Sequence, residues 1–242
     1  MTTDHIVKAF DQDLKHMDTV IAEMGGLVET QLAAAIEAML QRDVGRAEQI
    51  IAADERVDEL EDELERSAIK MIALRQPMAN DLRMQIAAIK IGGALERIGD
   101  YARNIAKRTL ALAQAPSVAP VQTVARLGEL VLEMLRNALD AYLTRDAAMA
   151  HDVRRSDHDA DAMYTSLFRE LLTYMMEDPR TITPCTHLML AAKNIERIGD
   201  HITTIAENVI YLVSGDVPEN KRPKGDETST IVVAPPAETG RR

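Results

Sequence analysis

At 242 residues the chain makes one large domain or two small ones and can bury a core without disulfide or metal staples. Aromatic residues are only 3% of the total, with no tryptophan, which favours helices packed by Leu, Ile, Ala and Met over strands. The net charge of −11 argues against an electrostatic grip on nucleic acid or anionic lipid, and the lone cysteine, Cys185, excludes a disulfide framework or a Cys-rich zinc site.

The amino terminus, MTTDHIVKAFDQDL, is charged from its fourth residue and has no apolar signal core. No stretch approaches the ~18 apolar residues of a spanning helix, so a cytoplasmic protein without membrane insertion is expected. Prolines at 77, 116, 120, 179, 184, 218, 223, 235 and 236 leave long tracts between them. Proline inside a helix costs ~3 kcal/mol, so these positions mark helix ends. Within the tracts the apolar period is helical. Val57, Leu60, Leu64 and Met71 form one stripe, Ile91, Leu95, Ile98, Ala102 and Ile105 a second, and Ile195, Ile198, Ile202, Ile205, Val209 and Leu212 a third.

Six helices are predicted, over 5–41, 43–74, 81–113, 120–143, 145–177 and 184–214. Asn80 and Thr183 are the expected N-caps, Pro184 the first helical residue and Gly215 the stop. The segment from 216 to 242 is polar and proline-rich, with only Ile231-Val232-Val233 as an apolar cluster, and is expected to be a disordered tail.

Glu96-Arg97-Ile98-Gly99-Asp100 recurs letter for letter as Glu196-Arg197-Ile198-Gly199-Asp200. Arg42-Asp43 aligns with Arg145-Asp146, Asp54 and Asp58 with Asp157 and Asp161, and Pro77 with Pro179. An internal duplication follows. The expected fold is all-α: two tandem, pseudo-symmetric three-helix bundles over 1–114 and 115–215, with short connections and antiparallel packing.

Glu96 and Asp100 are four apart, so their side chains lie about 40° apart on one helix face. Asp54 and Asp58 share that spacing on the preceding helix, and Asp157/Asp161 and Glu196/Asp200 repeat both pairs. Like charges at this spacing repel, and four carboxylates from neighbouring helices would suit a hard cation. A solvated acidic face explains a single pair equally well, since 39 acidic residues in 242 give roughly six such pairs from composition alone. On the wheel, Glu196 and Asp200 point away from the apolar stripe, placing any metal site open and on the surface. Gly99 and Gly199 sit between stripe and carboxylates, where a missing Cβ permits close approach of another backbone or a metal–carboxylate group, and a packing role is equally compatible.

Other signatures are absent. There is no Glu-x-x-His pair, no HExxH or HxxxH among the six histidines, no phosphate-binding loop, GxSxG or dinucleotide fingerprint. Cys185 lacks a histidine partner in sequence and is expected to be inert. His201, about 100° around the helix from Asp200, is expected to be a surface histidine. No catalytic constellation emerges, and a non-enzymatic protein is expected.

Residues 5–215 resemble the PhoU family of phosphate-transport regulators. The resemblance rests on Arg75-Gln76-Pro77-Met78-Ala79-Asn80-Asp81-Leu82-Arg83, on Ala94 to Ala106 around the first Glu-Arg-Ile-Gly-Asp, and on Asn194 to His201 leading into Ile205-Ala206-Glu207. It implies surface metal clusters on Asp54, Asp58, Glu96, Asp100, Asp157, Asp161, Glu196 and Asp200, holding divalent or iron-type ions (Fe, Mn, Mg or Zn). It implies a negative regulator that links a phosphate ABC transporter to a phosphate-sensing histidine kinase of a two-component system, restrains uptake, and represses the starvation response when phosphate is plentiful. Self-association as a homodimer is a further implication. Thr204 stands where the family often has asparagine, as at Asn104, which implies weaker metal binding in the second half. Readings left open are a carboxylate-bridged metalloenzyme and a structural adaptor for another phosphate transporter.

Overall fold

The Arg-Asp pairs of the duplication build the same turn twice. Arg42 and Arg145 both take a left-handed backbone, φ 59° and 55°, and the following N–H groups of Asp43 and Asp146 each donate to a carbonyl five residues back at 2.9 Å. Asp43 then caps the next helix by accepting from the N–H of Arg46 at 3.0 Å, and Asp146 does so from Ala148 and Met149 at 2.8 and 3.0 Å. Such a carboxylate satisfies helix donors that have no partner within the helix.

The computed structural model describes residues 2–53, 55–216, 218 and 225–231. Its α-helices are α1 (Thr2–Gln41), α2 (Val44–Ala52), α3 (Glu55–Arg75), α4 (Asn80–Leu112), α5 (Val121–Thr144), α6 (Ala147–Glu177) and α7 (Ile182–Ser214), with short 3-10 turns at Pro179–Thr181 and Thr228–Thr230. No strand occurs among the described residues. The helix expected over 43–74 is present as two segments, α2 and α3, with the backbone N–H of Ala53 closing α2 onto Gln49 and Ile50. Asp54, between the two, lies outside the described residues.

Two expected caps shift. α4 starts at Asn80 itself after Ala79, and α7 starts at Ile182, so Thr183 and Pro184 lie within its first turn. Thr181 is held instead by its hydroxyl, which donates to the carbonyls of Tyr174 and Asp178. Gly215 ends α7 as expected, at φ 84° with its N–H on the Tyr211 carbonyl.

The two halves meet along two antiparallel pairs. In α1 against α5, the Asp18 carboxylate accepts from Tyr142 at 2.5 Å and from Arg145 at 2.8 Å, and Glu29 pairs with Arg136 at 2.6 Å. Gly25 and Gly128 allow this approach. A Cβ on either would stand 2.7 Å from Leu139 or 2.6 Å from Ile36. In α4 against α7, Arg83 lies over the Tyr211 ring and the Tyr101 ring meets His201. The inner helices are thus α1, α4, α5 and α7. α2 and α3 flank the first half and α6 the second. Buried side chains from Met17 to Ile210 form one continuous core, in which each fully buried Leu or Ile contributes ~1.5–3 kcal/mol. No helix, among the described residues, is long and apolar enough to cross a membrane.

Candidate functional site: two acidic faces

The carboxylates singled out in the sequence fall on two faces, one per half. In the first, α3 carries Asp58 and α4 carries Glu96 and Asp100. The helices run antiparallel, with Leu64 against Gly92 and Glu61 4.0 Å from the Cβ position of Gly93. A hollow between them is lined by Glu55, Asp58, Glu59, Glu61, Asp62 and Glu96, with Gly93 and Arg97. Asp58 is exposed, while Glu96 and Asp100 are half-buried. Arg97 stands 3.4 Å from Glu96 and 3.7 Å from Asp100, which also accepts from Arg103. Partial burial, followed by repulsion from Asp100, raises the Glu96 carboxyl to about pKa 7 against the pull of Arg97. Burial and neighbouring carboxylates also raise Glu61.

The second face differs from the expectation of an open surface. Asp157, Asp161 and Glu196 are only 1%, 2% and 6% exposed. The helical wheel made Glu196 a surface residue, and here it is buried, because other groups cover it. α6 packs alongside α7, so closely that a Cβ on Gly199 would stand 3.0 Å from Asp157 Oδ1. Residues 225–231, part of the segment expected to lack structure, lie across the outside. The Gly225 N–H donates to Asp161 Oδ2 at 2.9 Å. Lys193 Nζ stands 2.9 Å from Glu196 and 3.1 Å from Asp226. Burial raises the Glu196 carboxyl, and the Lys193 ammonium opposes that rise.

Thr204 turns its hydroxyl onto the Asp200 backbone carbonyl at 3.1 Å, within its own helix. Cys185 is buried, and burial pushes its thiol up. His201 is half-buried against Tyr101, with ring centroids 5.7 Å apart, and burial lowers its pKa. Among the described residues no three of His, Cys, Asp or Glu already stand in position to hold a metal ion. The oxygen donors of the first face are nevertheless of the type that hard cations take.

The sequence reading missed Lys193, Tyr164 and Thr165. The duplication could have flagged them. At its own offsets Lys193 corresponds to Gly93, Tyr164 to Glu61 and Thr165 to Asp62. Lys193 lies 5.0 Å over the Tyr164 ring, just as Gly93 faces Glu61.

A duplicated antiparallel helical bundle with acidic residues on one face of each half defines a class of all-α proteins. The PhoU domain profile matches this chain twice, over 21–109 and 124–209, which is the duplication read from the repeats. The chain belongs to the PhoU family. A protein from Rhizobium meliloti strain 1021, named phosphate-specific transport system accessory protein PhoU homolog, is 47% identical over 232 residues, covering 96% of this chain and 98% of that one. The like-named protein of Zymomonas mobilis is 50% identical over 221 residues, 91% of this chain and 93% of its own. PhoU from Pseudomonas aeruginosa superposes with a TM-score of 0.84 at 39% identity, over 86% of this chain and all of that one. The phosphate transport system regulatory protein PhoU from Streptococcus pneumoniae superposes at 0.80 with 28% identity. These relatives are named as accessory and regulatory proteins, not as enzymes.

Proposed function

We propose that the protein is a cytoplasmic, non-enzymatic negative regulator of phosphate uptake. It links a phosphate ABC transporter to a phosphate-sensing histidine kinase and represses the starvation response when phosphate is plentiful. The supporting observation is membership of the PhoU family across nearly the whole chain, with relatives of 47–50% identity named as accessory proteins of the phosphate-specific transport system. An adaptor of this kind raises the effective concentration of its two partners without chemistry of its own, and long helices with broad polar faces suit that work. Divalent or iron-type ions are bound by Asp54, Asp58, Glu96 and Asp100, the corresponding second set being Asp157, Asp161, Glu196 and Asp200. The carboxylate-lined hollow supports this reading: burial first and repulsion from Asp100 second raise the Glu96 carboxyl, and a cation seated there would stabilise the ionised form against both.

The test is cellular. The gene is deleted and a phosphate-starvation reporter is read in phosphate-rich medium, with complementation by wild type and by Glu96→Ala/Asp100→Ala at equal expression. The expected result is a reporter switched on by deletion, silenced by wild type and not silenced by the double variant. A reporter that stays silent after deletion contradicts the regulatory role. Full silencing by the double variant contradicts the need for the carboxylates.

A further inference from the structure

The second acidic face is built to receive a segment of its own chain. At the three positions where the first half has Glu61, Asp62 and Gly93 around an open hollow, the second has Tyr164, Thr165 and Lys193. Each of the three engages what lies outside. The Thr165 hydroxyl donates to the Gly225 carbonyl and accepts from the Glu227 N–H, both at 3.3 Å. The Lys193 ammonium, resting on Tyr164, joins Glu196 to Asp226. Asp226 is itself held in a tight turn, accepting from the N–H and hydroxyl of Thr228 at 2.9 and 2.5 Å. Asp161 accepts from the Gly225 N–H, so one of its oxygens is committed to the segment.

We propose that residues 225–231 are an intramolecular latch that closes the second acidic face to cations and leaves the first open. This rests on the metal reading of the acidic faces given above. With the Lys193 ammonium on Glu196 and a backbone N–H on Asp161, two of the carboxylates a cation would take are already engaged, and an incoming cation must displace both groups. A hard cation therefore fills the first face at low concentration and reaches the second only when the latch leaves.

Glycine at 225 favours closure, because a Cβ there would stand 3.0 Å from Asp161 Cβ, closer than ordinary van der Waals contact, and 3.4 Å from the His158 carbonyl oxygen. Gly225→Ala in the full chain should release the latch without altering a carboxylate. Thr165→Val, which removes a buried hydroxyl and keeps the side-chain volume, should do so independently. Two readouts are taken on each protein. The first is hydrogen exchange of the Gly225, Glu227 and Thr228 amides in metal-free protein. Protection of at least tenfold over free-peptide rates is expected in wild type and its loss in both variants. The second is calorimetric titration with Mn²⁺, in which the variants should gain a set of sites, or bind Mn²⁺ at the weaker set at least tenfold more tightly.

Free-peptide exchange in wild type overturns the latch. So does an Mn²⁺ isotherm unchanged by both variants while the first face binds. Binding of Mn²⁺ to neither face in any of the proteins defeats the metal reading, and with it the claim that the latch excludes cations. The exchange data then still decide whether the segment docks.

Discussion

The two halves share a fold, a turn chemistry and a five-residue motif, yet one acidic face is open and the other is covered. Around Glu96 the hollow is open and lined mainly by carboxylates, and partial burial, followed by repulsion from Asp100, raises its pKa. Around Glu196 the carboxylates Asp157, Asp161 and Glu196 are buried, Lys193 stands on Glu196 and the Gly225 N–H on Asp161. A duplicated motif therefore does not imply a duplicated environment. Three exchanged neighbours, Gly93 for Lys193, Glu61 for Tyr164 and Asp62 for Thr165, together with residues 225–231, distinguish the two.

The largest expected effect comes from removing the counter-charge of the closed face. Lys193→Met leaves Glu196 buried beside Asp226 without its ammonium. Breaking a fully buried pair costs ~3–5 kcal/mol, and because Lys193 is one-third exposed and Glu196 can take up a proton, about 2 kcal/mol is expected. Urea denaturation of metal-free protein at pH 7 measures it. A loss below about 0.5 kcal/mol would mean that the closed face does not depend on Lys193.

A smaller effect, of opposite sign, is expected on the open face. The folded protein holds the Glu96 proton to about pH 7, whereas the unfolded chain releases it near 4.5. The folded state thus binds more protons across that window, and stability falls as pH rises through it. Glu96→Gln removes the loss. In metal-free protein it should be more stable than wild type by about 1 kcal/mol at pH 8, a figure reduced for solvent screening of a half-exposed carboxyl, and indistinguishable near pH 4.5. Equal stabilities at pH 8 would show that the open face carries no charge strain.

The smallest effect belongs to Arg97→Met. Arg97 is exposed, and its contacts with Glu96 and Asp100 are long, so a change within about 0.5 kcal/mol is expected. A loss matching that of Lys193→Met would erase the contrast between the halves.

Much of this architecture was legible in the amino-acid sequence because it is local. Proline positions and apolar periods gave helices that the structure reproduces to within a few residues. The Arg42-Asp43 and Arg145-Asp146 pairs marked equivalent turns, and Gly215 marked the stop of α7. The division of 43–74 into α2 and α3 was not legible, since no proline or glycine stands at 53–54. The covering of Asp161 and Glu196 was not legible either. It depends on a contact between residues 64 positions apart, and a polar segment shows no apolar period to announce where it docks. A helical wheel for α7 sees only its own helix, so it made Glu196 a surface residue and could not show what covers it.

The most direct test is diffraction from crystals grown with Mn²⁺, recorded for its anomalous signal. The account predicts a peak on the first face, between α3 and α4 at Asp58, Glu96 and Asp100, and none on the second while residues 225–231 lie across it. A peak among Asp157, Asp161, Glu196 and Asp200 with that segment in place, or an empty first face, would contradict it.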